Sequence, residues 1–300
     1  MKKIVVIGSS NTDMVVRTES LPRPGETLLG GGFVMAGGGK GANQAVAVAR
    51  MGHKVRFVAA LGRDIFGDEA LRSYEEYGID TSYIVRKDAP SGVALIMVDA
   101  SAQNCISVAL GANSELTLSD VMPVLDTVEE GDIVLLQLEV PIPTVEGVIA
   151  VAAAKGARVV LNPAPAAKVS EQALSKLYLI TPNQTEAETL TGVAVTDEAS
   201  ARVAAAALRE KGVGRVIITL GSVGALLDDE GRCEVVPARR VAAVDTTAAG
   251  DVYNGALCAA LAEGRSLREA MEFATKASAI SVTRIGAQPS IPTREEVDKF

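Results

Sequence analysis

Ile133-Val134-Leu135-Leu136 is the stretch on which the fold turns. Four consecutive apolar residues between Asp132 and Gln137 leave no polar side, so they read as a strand covered on both faces. Runs of the same kind recur at 3–8, 55–60, 132–138, 157–162, 177–181 and 215–220. Between and after them stand stretches with helical spacing, at 41–51, 67–77, 143–155, 184–191, 198–211, 251–263, 266–283 and 294–299. This alternation predicts an α/β fold, a doubly wound and mostly parallel sheet flanked by helices. Two regions break the rhythm. Residues 13–36 are rich in Gly, Pro and β-formers, and residues 91–110 read as strand, polar turn and strand. Both predict β excursions that together make a small second sheet.

Composition narrows the function. The chain has 300 residues, 48% of them hydrophobic, which is ample for a packed core. Its formal charge of -8, the absence of Trp and 3% aromatics argue against a nucleic-acid surface. One His (His53) and three scattered Cys (Cys105, Cys233, Cys258) exclude a His–Cys zinc cluster and a disulfide framework. The Cys read as small core or surface residues, and His53, after a helix end, as a surface turn residue. No apolar run reaches the ~18 residues of a membrane span. Ile4–Ile7 is too short for the core of a signal peptide, so the cytoplasm is the expected compartment.

The segment richest in chemistry is Asp245-Thr246-Thr247-Ala248-Ala249-Gly250-Asp251. A strand-like stretch, Arg240 to Val244, leads into a small-residue turn and then a helix. Such a turn lets backbone N–H groups converge at a helix N-terminus and hold an anion. Asp251 falls in the first helical turn, where the helix dipole favours its ionised form. A carboxylate beside an anion site can take a hydroxyl proton; the same residue also fits a plain helix-start acid. Gly37-Gly38-Gly39-Lys40-Gly41-Ala42-Asn43-Gln44 is the second segment, whose glycines allow close ligand approach. It fails the Walker A pattern, and it matches a dinucleotide fingerprint only when forced as Gly37-x-Gly39-x-x-Ala42. Asn183-Gln184-Thr185-Glu186 reads equally as a helix cap or as a place for Glu186 to organise metal-bound water. Asn11, Asp13 and Glu139 stand at the C-terminal ends of predicted strands, the edge where open parallel sheets bind ligands.

Together these residues resemble the ribokinase-like carbohydrate kinase family, over essentially the whole chain. Gly38–Ala45 is similar to the family's first signature, Asp245–Asp251 to its second, Asn183-x-x-Glu186 to its Asn-x-x-Glu motif, and Gly286–Ser290 to its C-terminal loop. The resemblance implies a core of 1–12, 37–90 and 109–300, with a β lid of 13–36 and 91–108 that covers the sugar and forms a homodimer contact. It implies ATP-dependent phosphorylation of D-ribose at its 5-hydroxyl. Asp251 is then the base, and the N–H groups of Ala248, Ala249, Gly250 and Asp251 form the anion hole. Asn11, Asp13, Gly39, Lys40, Asn43 and Glu139 match sugar-contacting positions, and Asn183, Thr219, Gly221 and Gly224 match nucleotide-side positions. Glu186 matches the residue that influences Mg2+. A monovalent cation, usually K+, is implied beside the anion hole, held by the side chains of Asp245 and Ser290 and the carbonyls of Thr247, Ser281, Arg284 and Gly286. Val252-Tyr253 departs from the family's usual Thr-Phe after the base, and reads as a packing change.

Three rivals remain at this point. A kinase of the same family acting on deoxyribose, a nucleoside or another sugar shares every motif. A dinucleotide-dependent oxidoreductase leaves Asp245–Asp251 unexplained. A non-catalytic sugar sensor has no need to keep Asp251.

Overall fold

A computed structural model describes residues 2–29, 31–101 and 103–300; Gly30 and Ala102, inside the two β excursions, and Met1 lie outside the described residues. The main sheet has eight strands. Ile4–Ile7 lies between Val55–Val58 on one side and Ile133–Leu136 on the other. Beyond Ile133–Leu136 follow Arg158–Leu161, Leu179–Ile180 and Arg215–Thr219, all parallel. Connections therefore run outward in both directions from the pair Ile4–Ile7 and Ile133–Leu136, which is the topological switch point. An antiparallel hairpin, Gly224–Asp229 and Arg232–Pro237, closes the far edge. The sequence reading passed over this hairpin because its strands carry polar residues on an edge.

Both faces of the sheet are covered, which is why its strands are apolar throughout. Ile133 and Leu135 pack under the helices Lys40–Arg50, Ala249–Ala262 and Leu267–Ser281. Val134 and Leu136 pack under Leu118–Leu125, Ile142–Ala154 and Glu198–Glu210 on the other face. The two excursions form a separate four-stranded sheet, ordered Phe33–Gly38, Asn11–Arg17, Gly92–Val98, Asn104–Ala109. Alternation places Asn11, Asp13 and Val15 on one face of it, level with Gly38, Ala36 and Val34 across the ladder.

Two local expectations are corrected. Arg240–Val244 is not a strand: it is an exposed connection whose Val244 N–H donates to the carbonyl of Val282 (2.7 Å), because the hairpin already occupies that edge. His53 is not on the surface. Gly52, at φ +83°, turns the chain back, and the His53 ring is buried with Nε2 3.1 Å from Glu263 Oε1.

One contact decides where the site forms. A Cβ at Gly255 would lie 2.4 Å from Ala47 Cβ and 2.8 Å from the Gln44 carbonyl. Only glycine lets the helices Lys40–Arg50 and Ala249–Ala262 approach so closely, and Gly255 is one turn beyond Asp251.

The departure at Tyr253 has a visible consequence. Its side chain is buried, and its hydroxyl meets no hydrogen-bond partner among the described residues. A buried unpaired hydroxyl costs about 1 kcal/mol or more. Tyr253→Phe is therefore expected to raise the urea midpoint by about 1 kcal/mol of stability at unchanged m-value. A loss of stability would instead place a bridging water on that hydroxyl.

Candidate active site

The site lies at the C-terminal ends of the strands, around the N-termini of two helices. Gly39, at φ +87°, starts the helix Lys40–Arg50, and its backbone packs so tightly that a Cβ would come within 2.8 Å of Asn11 N. The first N–H groups of that helix are taken up within the fold: Lys40 N–H by Glu139 Oε2 (3.0 Å), Gly41 N–H by Ser9 Oγ (3.4 Å) and Ala42 N–H by the Ser9 carbonyl (2.9 Å). Ala248 starts the helix Ala249–Ala262 in the left-handed region, φ 58°, an uncommon conformation for a residue with a Cβ. The N–H of Ala249 donates to the Thr246 carbonyl (3.2 Å). Among the described residues, those of Ala248, Gly250 and Asp251 meet no acceptor. The turn thus presents three free N–H groups, not the four expected from sequence.

Asp251 is buried between these helices. Asn43 Nδ2 donates to its Oδ2 (2.9 Å) and Gln44 Nε2 to its Oδ1 (3.0 Å). Burial pushes its carboxyl above the usual range, while Lys40 and the two amides pull against that. Lys40 shows the opposite balance. Burial disfavours its charge, but Asp251, Glu139 and Glu186 hold the ammonium above its ordinary range. Asn43 Oδ1 is buried and meets no hydrogen-bond partner among the described residues.

The sugar-side residues gather near Asp251. Glu139 Oε2 accepts from Ser9 Oγ (2.5 Å) and from the Lys40 N–H (3.0 Å). Asp13 stands on the second sheet, its carboxylate against Gly38, where a Cβ would come within 2.3 Å. Asn11 Oδ1 accepts from Asn113 Nδ2 (2.8 Å), and Asn113 also pairs with the backbone of Ser10. Sequence reasoning missed Asn113. It is wholly buried in the turn Gly111–Glu115 and braces the strand that carries Asn11 and Asp13.

A cavity of about 210 Å³ opens on the other side of Asp251, lined among others by Lys40, Asn183, Glu186, Thr219 and Ala248–Gly250. Asn183 caps the helix Gln184–Thr191: its Oδ1 accepts from Glu186 N–H (2.8 Å), and Glu186 Oε2 accepts from Asn183 N–H (2.8 Å). The capping reading of this pair is thus observed, and both residues also line the cavity. Burial raises the Glu186 carboxyl, against the Asn183 N–H and Lys40. Gly221 and Gly224 do not line this cavity. Gly224, at φ +127°, is required by the hairpin, where a Cβ would meet the Val236 carbonyl at 2.1 Å.

Of the residues expected around a cation, Thr247 and Gly286 meet at Asp245. Thr247 N–H donates to its Oδ1 and Gly286 N–H to its Oδ2, both at 2.9 Å. Partial burial opposes its charge, but Thr247 and the Gly286 N–H prevail, and the carboxyl stays below its ordinary range. Ser290 is buried and donates to the Ala287 carbonyl (2.7 Å). The Ser281 carbonyl accepts from Arg284 N–H (3.0 Å), and the Arg284 side chain pairs with Glu296 (2.6 Å). No cluster of three or more His, Cys, Asp or Glu able to hold a metal occurs among the described residues.

Comparison with known proteins agrees with this geometry. A family model described as pfkB family carbohydrate kinase matches residues 1–294. A ribokinase of Haemophilus influenzae is 45% identical over 300 residues, covering 100% of this chain and 98% of that protein. The crystal structure of ribokinase from Thermotoga maritima superposes with a TM-score of 0.91 at 42% identity, covering 100% of this chain and 99% of that one. That of Arabidopsis thaliana ribokinase complexed with ribose and ATP gives 0.92 at 31% identity, covering 99% and 98%.

Asp13 carries a pH signature. Burial first, then the charges of Glu139 and Asp251, push its carboxyl from 3.8 to about 7. A carboxyl raised on folding stabilises fully below the unfolded pKa, and that contribution is lost as pH rises through the folded one. Thermal unfolding of the unliganded protein should show Asp13→Asn gaining on the wild type between pH 4 and about 7, with the gap level beyond. A pH-independent difference would mean that Asp13 is unperturbed.

Proposed function

The chain belongs to the pfkB family of carbohydrate kinases, and from that premise we propose that it transfers the γ-phosphoryl group of ATP to the 5-hydroxyl of D-ribose with Asp251 as base. The observation that carries this reading is Asp251 itself: a buried carboxylate one step from free N–H groups, between a polyol-like cluster and a second cavity. The carboxylates of Asp13 and Glu139 accept hydrogen bonds from sugar hydroxyls, and Lys40 and Asn43 supply donors. Gly39 lets the sugar reach the backbone. Asn11, held by Asn113, completes that side.

The cavity beside Asn183 and Thr219 takes the nucleotide, with Gly221 and Gly224 shaping the turn next to it. Phosphoryl transfer asks mainly for positioning and charge neutralisation. Asp251 accepts the hydroxyl proton as the oxygen attacks. The N–H groups of Ala248, Gly250 and Asp251 meet the charge that grows on the transferring group. A pKa raised by burial brings Asp251 nearer to working pH, as a general base requires. Glu186 has both oxygens in the Asn183 cap, which suits an outer role on water around magnesium rather than direct ligation. Asp245, Ser290 and the carbonyls of Thr247, Ser281, Arg284 and Gly286 hold the monovalent cation. When bound, magnesium offsets phosphate charge and potassium steadies the turn.

The second sheet is a lid over the sugar. Beyond Asp13 its inner face continues as Val34, Val15, Ile96 and Ile106, and Val34 and Ile106 are more than half exposed. An apolar row of this kind on a soluble enzyme calls for a cover, and a second copy of the chain supplies it as a homodimer. No helix among the described residues is long and apolar enough to cross a membrane, in keeping with a cytoplasmic enzyme.

An ADP-release assay with ATP, magnesium and potassium is expected to respond most strongly to D-ribose among ribose, 2-deoxyribose, fructose and adenosine. Replacing potassium by sodium should lower the rate, and Asp251→Asn should lower it ~10²–10⁴-fold in folded protein. A best response to another sugar would move the substrate and keep the chemistry; near-normal turnover in Asp251→Asn would remove the base. Sedimentation should give a dimer, and Ile106→Asp should convert it to monomer. A monomeric wild type overturns the lid contact.

A further inference from the structure

Asp251 is the end of a longer chain of buried amides. Gln44 Nε2 donates to Asp251 Oδ1 and to Asn162 Oδ1, each at 3.0 Å. Gln137 Nε2 donates to Gln44 Oε1 (2.5 Å). Asn162 Nδ2 donates to the Thr181 carbonyl (3.2 Å), Thr181 Oγ1 to Asn254 Oδ1 (2.6 Å), and Asn254 Nδ2 to the Gly250 carbonyl (2.9 Å). All five side chains are buried, with Gln44 and Gln137 at 0% exposure.

The orientation of each amide follows from the first. A carboxylate accepts only, so Gln44 must turn its nitrogen to Asp251. Its oxygen then faces Gln137, which must turn its own nitrogen inward. That leaves Gln137 Oε1 buried and unpartnered, directed at Gly8, where a Cβ would lie 1.9 Å from it. Strands Ile4–Ile7 and Ile133–Leu136 end at Gly8 and Gln137, so the chain runs from the switch point of the sheet to the reacting carboxylate.

We propose that Gln44, oriented by Gln137, is a positioning residue that fixes the Asp251 carboxylate, ionised and aimed, for proton transfer. The proposal rests on the reading of Asp251 as the base. The Gln44 amide is fully engaged by Asp251, Asn162 and Gln137 and bonds none of Asn11, Asp13, Lys40, Asn43 and Glu139, so it acts through Asp251. The charged groups that bear on Asp251 are Lys40, Glu139, Asp13 and Glu186. None of them is bonded to Gln44 or Gln137, so both glutamines can be changed without removing a charge.

The test compares Gln44→Met, Gln137→Met, Asp251→Asn and wild type, with kcat and KM for ribose and ATP measured from pH 5 to 9. Gln44→Met is expected to lower kcat about 10–100-fold, the cost of one donor to a charged group. KM for ribose should stay within about twofold, since no sugar-side hydrogen bond is removed. The acid limb of the kcat profile should move to higher pH, because a carboxylate that loses a donor binds its proton more tightly. Gln137→Met should move the same quantities in the same direction by less, and it carries the test should Gln44→Met fail to fold. Folded variants with unchanged kcat and acid limb, or with only KM raised, overturn the proposal. If Asp251→Asn is inactive while the glutamine variants are normal, the base stands and the inference alone falls. If Asp251→Asn is active, both fall.

Discussion

A carboxylate cannot be ionised in a dry interior without donors around it, and this constraint on Asp251 organises the molecule. The donors come from the first turns of the helix Lys40–Arg50, so two helices far apart in sequence must touch. They touch because residue 255 is glycine and residue 47 alanine, and because both helices lie on the same face of a sheet that is apolar throughout. Close approach, donor supply and helix placement are thus one requirement. Loosening the contact at Gly255 would part Asn43 and Gln44 from Asp251 before it disturbed the sheet.

The second consequence is electrostatic. Glu139, Asp251 and Glu186 bear on the ammonium of Lys40, and Asp13 stands by Glu139 and Asp251, in a site that must admit a polyphosphate. Direct repulsion is reduced in three ways. Burial and its acidic neighbours raise the Asp13 carboxyl to about 7. The start of the helix at Ala249 directs inward the N–H groups of Ala248, Gly250 and Asp251, which meet no acceptor among the described residues, adding positive potential without a counterion. Asp245, whose carboxyl is held below its ordinary range, has both oxygens turned to the N–H groups of Thr247 and Gly286.

Much of this was legible from residue order. The apolar runs gave the parallel strands to within a residue or two, because a strand covered on both faces has no polar period to obscure it. Asp245–Asp251 and Gly37–Gln44 were legible because small residues beside acids or a lysine are rare within packed elements. What stayed hidden depends on partners distant in sequence. Gly255 looks like any helical glycine until Ala47 is opposite it. Asn113 sits in a turn where an Asn needs no explanation. His53 follows a helix end in sequence, and only Glu263 across the fold makes it a buried residue. One usable signal was overlooked: Gln137, Asn162 and Thr181 each follow the last apolar residue of a central strand, so three polar side chains stand at one sheet edge.

That edge also separates chemistry from sugar choice. The groups around the reacting proton stand on the main sheet and its helices, elements packed on both sides and held by the buried amides. The groups proposed to meet the sugar are divided: Glu139, Lys40 and Asn43 belong to that rigid core, while Asn11 and Asp13 ride on the second sheet. A substitution on the second sheet can therefore reshape the sugar pocket while the distances from Asp251 to Asn43 and Gln44 stay fixed. A substitution in the core alters proton transfer for every sugar alike. A fold so divided can change substrate by altering one small sheet and still keep a single mechanism, which is why the motifs around Asp251 report the reaction more firmly than they report the sugar.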